Sequence, residues 1–251
     1  MDLLERPTEA SRRHPWEVSR FRFFRRVLND AGALRTTRRV LDVGSGDSWF
    51  SRSLMPSFPA DTQLTCWDAN YDATVIASLA KEAGPRIEFV SQRPSGRFDL
   101  AMLLDVLEHV EHDAAFLQSV VRENLAPGAT VLVSVPAWPS LFTAHDARLR
   151  HHRRYTPEAG EALLTGAGLE VIQRGGLFHS LLVPRVLEKV REVLRPPTST
   201  AHVPSLTWRG GALATGLVEW SLAADNQLSL FASRLPSQLP GLTWWALCRA
   251  S

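Results

Sequence analysis

The 251-residue chain is 45% hydrophobic and 22% charged, with a formal net charge of +2. This composition is typical of a globular protein with a sizeable core, and it excludes a disordered chain, a collagen-like repeat and membrane spans of about 20 apolar residues. The two cysteines, Cys66 and Cys248, lie outside any zinc-type spacing, so we expect free thiols and no structural zinc. The first 15 residues lack the apolar core of a secretory signal, which favours a cytoplasmic location.

Basic residues are concentrated at the start of the chain. Residues 1–39 hold ten arginines against five acidic residues, and aromatic and aliphatic side chains lie between them at helical spacing. Two interpretations are open. The favoured one is a packed amphipathic helix with a solvated basic face, and the alternative is a patch that binds phosphates. We treat residues 1–38 as a helical extension of a single domain that spans residues 1–251.

Strand and helix patterns alternate over the central part of the chain, which predicts an α/β fold with a parallel sheet. We expect a closing strand at Leu242–Cys248, separated from the preceding one by a long insertion. Apolar runs predict the earlier strands at residues 40–43, 63–67, 87–90, 98–104, 129–135 and 169–173, with helices at 49–55, 74–82, 113–125 and from Pro157 onward.

The insertion spans residues 176–240, where compact domains of this kind need only a short connection. Its pattern predicts helices at 182–194 and 211–233, joined by a linker at 196–207. We expect this segment to form a helical cap over an acceptor pocket. The stripe of Leu182, Val186, Leu187, Val190 and Leu194 leaves a membrane or subunit contact as the alternative, although the mixed charges opposite the stripe argue against a membrane.

The most informative local pattern is a glycine turn between the first strand and the first helix of the alternation. Asp42 and Val43 end the strand, and Gly44-Ser45-Gly46 let the backbone approach a ligand closely at a helix N-terminus. Asp68 ends the next strand, where an acid is placed to accept hydrogen bonds from ribose hydroxyls. The alternative role for Asp68 is to cap the following helix.

Together, Val40–Asp47, Asp68 and the segment Phe98–Val110 resemble the class I S-adenosylmethionine-dependent methyltransferases. The resemblance implies a Rossmann-like seven-stranded sheet with the order 3-2-1-4-5-7-6, an antiparallel last strand and S-adenosylmethionine as the cofactor, with S-adenosylhomocysteine as the product. Ser48 replaces the third glycine of the family's turn. The resemblance also implies that the cofactor's methionyl group contacts Asp42, Gly44, Ser45 and Gly46, its ribose Asp68, its adenine Trp67 and Ala69, and its amino group Leu104 and Asp105.

The adenine partner after the third strand is less clear, and Ser91 or Gln92 is the candidate. The loop after the fifth strand is placed to meet the acceptor, because ligands bind at the carboxyl ends of parallel strands. We expect the acceptor to contact Trp138, Phe142, Asp146, Arg154 and Tyr155.

Histidines supply the candidate catalytic bases. His145 is the first candidate for the proton-accepting residue and His109 the second, while a structural role is equally open for each. A metal cluster that includes His109, His112 and Asp146 has no recognisable ligand spacing, so we expect no metal site.

The sequence therefore predicts a methyltransferase that acts on a small molecule, such as a secondary metabolite or a sugar or lipid precursor, at oxygen, nitrogen or carbon. One alternative is an enzyme of the same fold that uses the cofactor for cyclisation or aminocarboxypropyl transfer. Another is an RNA methyltransferase, although Leu104-Asp105-Val106-Leu107 stands where base-amine methyltransferases carry an N-P-P-Y-type tetrapeptide. We expect no DNA partner. The acceptor and the oligomeric state stay open.

Overall fold

A computed structural model describes residues 13–194, 210–235 and 238–251. The described residues form a seven-stranded sheet with the order β3-β2-β1-β4-β5-β7-β6. Strand β7 pairs antiparallel with both β5 and β6, and the other pairs are parallel. The expected fold class and strand order are confirmed. The predicted linker at 196–207 lies outside the described residues.

The strand bounds match the sequence pattern closely in the first half of the sheet and less closely in the second. Strand β5 begins four residues before its predicted start, where Leu125 pairs with Phe98 of β4. Strand β6 extends four residues beyond its predicted end, because residues 174–177 still pair with β7. The strands are β1 Arg39–Val43, β2 Gln63–Trp67, β3 Ile87–Val90, β4 Phe98–Leu104, β5 Leu125–Pro136, β6 Leu169–Leu177 and β7 Thr243–Ala250.

Helix starts follow recognisable capping residues. Thr156 accepts a hydrogen bond from the Ala159 amide ahead of Pro157, and His14 and Glu17 form a capping box at the N-terminal helix. The helices are α1 Pro15–Asp30, α2 Ala33–Thr36, α3 Trp49–Leu54, α4 Ala73–Glu82, α5 Asp113–Asn124, α6 Ala144–Arg148, α7 Pro157–Gly166, α8 Leu182–Leu194 and α9 Ala212–Ala232.

Helices α1 and α9 pack together over one face of the sheet. Phe23 and Phe24 of α1 are buried against Trp245 of β7, and the Asn226 amide of α9 donates to the Ser19 carbonyl at 2.9 Å. The arginines at 22, 25 and 26 face solvent, as expected for a packed helix with a basic outer face. Helix α9 is thus part of the main core.

Helix α8 lies with its polar side toward the protein. Arg185 is buried, Lys189 donates to the Phe142 carbonyl at 2.5 Å, and Glu192 accepts from the Ala144 amide at 3.0 Å. The apolar stripe therefore faces outward, with Val183, Val186, Leu187, Val190, Val193 and Leu194 all exposed. Among the described residues, no helix is long and apolar enough to cross a membrane.

Candidate functional site

A cavity of about 550 Å³ opens at the carboxyl ends of β1, β2 and β4. The glycine turn, Asp68 and Asp105 form one end, and a group of histidines forms the other. Helix α1 and the insertion supply apolar walls. The residues from these two parts of the chain that line the cavity are Trp16, Arg20, Phe178 and Leu181.

The glycine turn is shaped for close approach of a ligand. Gly44 has a φ of +63°, and a Cβ atom on it would come within 2.7 Å of Val106 Cγ2, so only glycine fits. Ser48, in the third glycine position, also adopts the left-handed conformation, with a φ of 58°. Ser48 thus keeps the backbone conformation that glycine favours, although it carries a side chain.

Two of the predicted methionyl-binding residues lie behind this turn rather than on the cavity surface. Asp42 accepts a hydrogen bond from Ser51 Oγ at 2.6 Å, and burial raises the pKa of its carboxyl to about 6. Ser45 Oγ lies 2.8 Å from the Tyr71 hydroxyl. These contacts hold the turn in shape, whereas Gly44 and Gly46 line the cavity.

Asp68 joins the second strand to the glycine turn. Its Oδ2 accepts a hydrogen bond from the Gly46 amide at 2.9 Å, and its Oδ1 accepts one from Asn70 at 2.9 Å. The cap of helix α4 is Asp72, whose side chain accepts from the Val75 amide. The capping role considered for Asp68 therefore belongs to another residue, and Asp68 lines the cavity.

The predicted adenine end is apolar. Trp67 and Ala69 line the cavity, and the Trp67 ring lies 5.9 Å from the ring of Phe116, which also lines it. Ser91 and Gln92 do not belong to the lining. Phe116 was missed by the sequence reasoning because it lies on α5, far from any motif.

Opposite charges meet beside the predicted amino-group position. Asp105 has a φ of 58° and accepts a hydrogen bond from Ser134 Oγ at 2.9 Å, and it forms an ion pair with Arg20 of α1. Leu104 lines the same wall, and the Arg20 guanidinium lies over the Trp16 ring. Arg20 was missed because nothing in the local pattern distinguishes it from the other arginines of α1; its burial does.

These features fit the methionyl, ribose and adenine parts of S-adenosylmethionine. The turn admits no side chain at Gly44, the buried carboxylate of Asp68 lies at the cavity surface, and Arg20 with Asp105 offers one cation and one anion. Charge-assisted hydrogen bonds to such a pair suit a zwitterionic amino acid group.

Ionisable side chains crowd the other end of the cavity. His109, His145, His151, Arg154 and Glu108 all line it. Burial, reinforced by the nearby Arg185, lowers the pKa of His145, which favours the neutral form of the ring. Burial raises the pKa of Glu108 well above its ordinary value.

Asp146 organises this end without lining the cavity. Its carboxylate accepts hydrogen bonds from Arg154 at 2.7 Å and Arg185 at 2.5 Å, and it lies 3.2 Å from His151 Nδ1. Burial alone would raise its pKa, but the hydrogen bonds from His151 and Arg154 hold the pKa below the ordinary value. Asp146 therefore ties the loop after β5 to helix α8 of the insertion.

The other predicted acceptor residues make contacts within the protein. Trp138 Nε1 donates to the Gly241 carbonyl at 2.8 Å, and the Tyr155 hydroxyl donates to Asp113 Oδ2 at 2.7 Å. Neither residue, nor Phe142, belongs to the lining. Of the five residues predicted to contact the acceptor, Arg154 alone belongs to it.

Comparison with known proteins agrees with this geometry. A family model described as "Methyltransferase domain" matches residues 16–174, which is well over half of the chain. This range contains the glycine turn, Asp68, Asp105 and the histidine end of the cavity. No protein of curated function matches the sequence.

Solved structures share the fold at low sequence identity. The cyclase SpnF is 16% identical, with a TM-score of 0.55 over 98% of this chain and 84% of its own. An S-adenosylmethionine-dependent methyltransferase from Mesorhizobium loti is 14% identical, with a TM-score of 0.52 over 86% and 92% of the two chains. The N-methyltransferase NodS from Bradyrhizobium japonicum is 14% identical, with a TM-score of 0.51 over 95% and 98%. By its family match and its sheet order, the chain belongs to the class I S-adenosylmethionine-dependent methyltransferases.

Proposed function

We propose that the protein transfers a methyl group to a small-molecule acceptor bound between the histidine end of the cavity and the insertion. The observation that carries this proposal is the continuity of one cavity. The same space reaches from Asp68 and Asp105 to His145 and His151, so the donor and the acceptor can meet inside it. A volume of about 550 Å³ lies in the range of small-ligand pockets.

The walls of the cavity support a compact acceptor with an apolar body. Phe178 and Leu181 at the start of the insertion and Leu242 near β7 contribute apolar side chains, while the histidines lie together at the acceptor end. We propose that the part of the cap from residue 178 to α8 shapes this pocket. A polar reacting group would then face the histidines, with the apolar body against these walls.

The chemistry requires positioning more than activation. In methyl transfer, the bond from carbon to the sulfonium breaks as the bond to the acceptor nucleophile forms, and S-adenosylhomocysteine leaves. An acceptor hydroxyl or amine also gives up a proton, and His145, which lines the cavity and has a lowered pKa, is our first candidate to take it. His109 is the second candidate.

The test is a product analysis with the donor and a mixture of metabolites. Methyl transfer produces S-adenosylhomocysteine and a product heavier by one methyl group. Release of methylthioadenosine would instead support aminocarboxypropyl transfer, and a transformed acceptor with an unconsumed donor would support a cyclase, the activity named for the similarly folded SpnF. Either result would overturn the methyl-transfer proposal.

The Asp68→Ala variant tests the cofactor site through its affinity for S-adenosylmethionine. We expect it to weaken S-adenosylmethionine by about 1–3 kcal/mol, because charge-assisted hydrogen bonds to the ribose and the contact with Gly46 are lost. Asp61→Ala is the control, since Asp61 is exposed and remote from the cavity. Equal affinities of both variants in calorimetry would remove Asp68 from the cofactor site.

A further inference from the structure

A buried carboxylate and two histidines converge at the acceptor end of the cavity. A short 3₁₀ helix, Leu107–His109, follows β4 and carries Glu108 and His109, while His151 comes from the loop after α6. One carboxylate oxygen of Glu108 and one ring nitrogen of each histidine lie within 4.8 Å of one another. The two imidazole rings are 4.6 Å apart and nearly perpendicular.

Glu108 is unusual among the charged residues of the site. It is 0% exposed, and neither of its carboxylate oxygens has a hydrogen-bond partner among the described residues. Burying a carboxyl group without a partner costs about 1–3 kcal/mol or more. A ligand that enters the cavity would supply the partner that Glu108 lacks in the described part of the chain.

The surroundings of His151 match those of a metal-binding histidine. Its Nδ1 lies 3.2 Å from Asp146 Oδ1, which leaves Nε2 as the nitrogen for a ligand. Metal-bound histidines almost always place their other ring nitrogen against a carboxylate or carbonyl. Asp146 is itself fixed by ion pairs with Arg154 and Arg185. The positive charges of these two arginines are therefore partly neutralised by Asp146, which is not one of the candidate metal ligands.

We propose that Glu108, His109 and His151 form a binding site for one divalent first-row transition metal ion, such as zinc, manganese or iron(II). Two imidazoles and one carboxylate suit these ions and leave coordination positions open toward the cavity. The proposal deepens the proposed function, because an acceptor oxygen bound there would lose its proton more readily. The acceptor class would then be a hydroxylated or enolic compound.

The site was hidden in the sequence because its members are separated by 42 residues between His109 and His151. The earlier grouping of His109 with His112 and Asp146 shares only one ligand with it. His112 is exposed, and Asp146 is an outer residue that orients His151.

The test is a titration of untagged, chelator-treated protein with cobalt(II), followed by zinc competition. We expect one ion per chain, a visible cobalt absorption that zinc abolishes, and X-ray absorption of the zinc form with two imidazole ligands. Glu108→Gln and His151→Ala should each weaken binding at least about tenfold, since losing even an outer partner costs that much. The control is His152→Ala, an exposed neighbour.

Three results would overturn the metal site. They are the absence of saturable uptake by the wild-type protein, a zinc spectrum without imidazole, or equal losses in the control and the ligand variants. The wild-type spectrum decides the question if a variant fails to fold. Cofactor binding by the metal-free protein, and S-adenosylhomocysteine formation measured with and without added metal, show separately whether the proposed methyl transfer stands.

Discussion

Single residues decide how the two ends of the cavity differ. At the donor end, charges are paired across elements, as in Arg20 with Asp105. At the acceptor end, His145 lies near Arg185 and has a lowered pKa caused first by burial. This contrast suits a donor that needs binding and an acceptor that needs a neutral base.

His145→Ala tests the base. We expect turnover to fall by roughly 10²–10⁴-fold with little change in the affinity for S-adenosylmethionine, because proton removal is lost while the donor end is untouched. Steady-state kinetics and calorimetry measure the two effects. His112→Ala, which alters an exposed histidine, is the control. Full activity of the His145 variant would show that the base lies elsewhere, with His109 the next candidate if it holds no metal ion.

Asp42 makes stability depend on pH. Its folded pKa of about 6 exceeds the ordinary value of 3.8, so the buried carboxylate costs nothing at pH values below 3.8 and its full penalty above 6. That penalty is about 3 kcal/mol. In Asp42→Asn, the gain in free energy of unfolding over wild type should be about 1–2 kcal/mol larger at pH 8 than at pH 5. Denaturant titrations at both values measure it.

The exposed Asp61→Asn variant controls for the general effect of removing a negative charge. If the difference in free energy of unfolding between Asp42→Asn and the wild type is the same at both pH values, the pKa of Asp42 is not raised in the folded protein.

At the scale of elements, the insertion divides into two parts with different roles. Helix α9 belongs to the core, where Leu222 is 1% exposed. Deleting residues 196–233 would therefore open the core, and it would not isolate the contribution of the cap. Helix α8 is held by the Arg185 contact with Asp146 and by backbone contacts of Lys189 and Glu192, so it offers the cleaner experiment.

Arg185→Met should loosen helix α8 selectively. We expect the free energy of unfolding to fall by about 1–3 kcal/mol, because Asp146 keeps Arg154 as a partner. The KM for the acceptor should rise more than the Kd for the cofactor. Hydrogen exchange of the α8 amides should be faster in Arg185→Met than in the wild type. The control is Arg191→Met, which changes an exposed residue of the same helix and should leave the exchange rates of α8 unchanged. Equal exchange rates of α8 in the two variants would contradict the role of Arg185 in holding this helix.

The whole molecule keeps its two cysteines apart. Cys66 lies on β2 and Cys248 on β7, with β1, β4 and β5 between them. Four strand spacings of about 4.8 Å amount to roughly 19 Å, well beyond the approximately 7 Å limit between bridged Cα atoms. Burial raises the pKa of both thiols, that of Cys248 to about 12.

Both thiols should therefore report global unfolding. In native buffer at pH 8, we expect no intramolecular disulfide by mass spectrometry and slow reaction with a thiol reagent. Two equivalents should react once the protein is denatured. Rapid reaction of one thiol in the native protein would show that the sheet opens locally at that strand.

Local patterns carried much of the donor site. The apolar runs of β2, β3 and β4 and the glycine turn are visible in the sequence, because buried parallel strands need continuous apolar residues and positive φ angles favour glycine. Asp68 followed from its position after a strand. The start of β5 could not be predicted in this way, since Pro127 and Gly128 look like a turn. Pairing in the sheet overrides that local signal.

Tertiary structure decided the acceptor end. The meeting of Glu108 with His151, the pairing of Arg20 with Asp105, and the outward apolar stripe of α8 each depend on contacts between distant segments. Periodicity shows that a helix has two unlike faces, but not which face the body covers. For α8 the buried anion Asp146 attracts Arg185 inward, because an unpaired buried charge costs more free energy than an exposed stripe of aliphatic side chains.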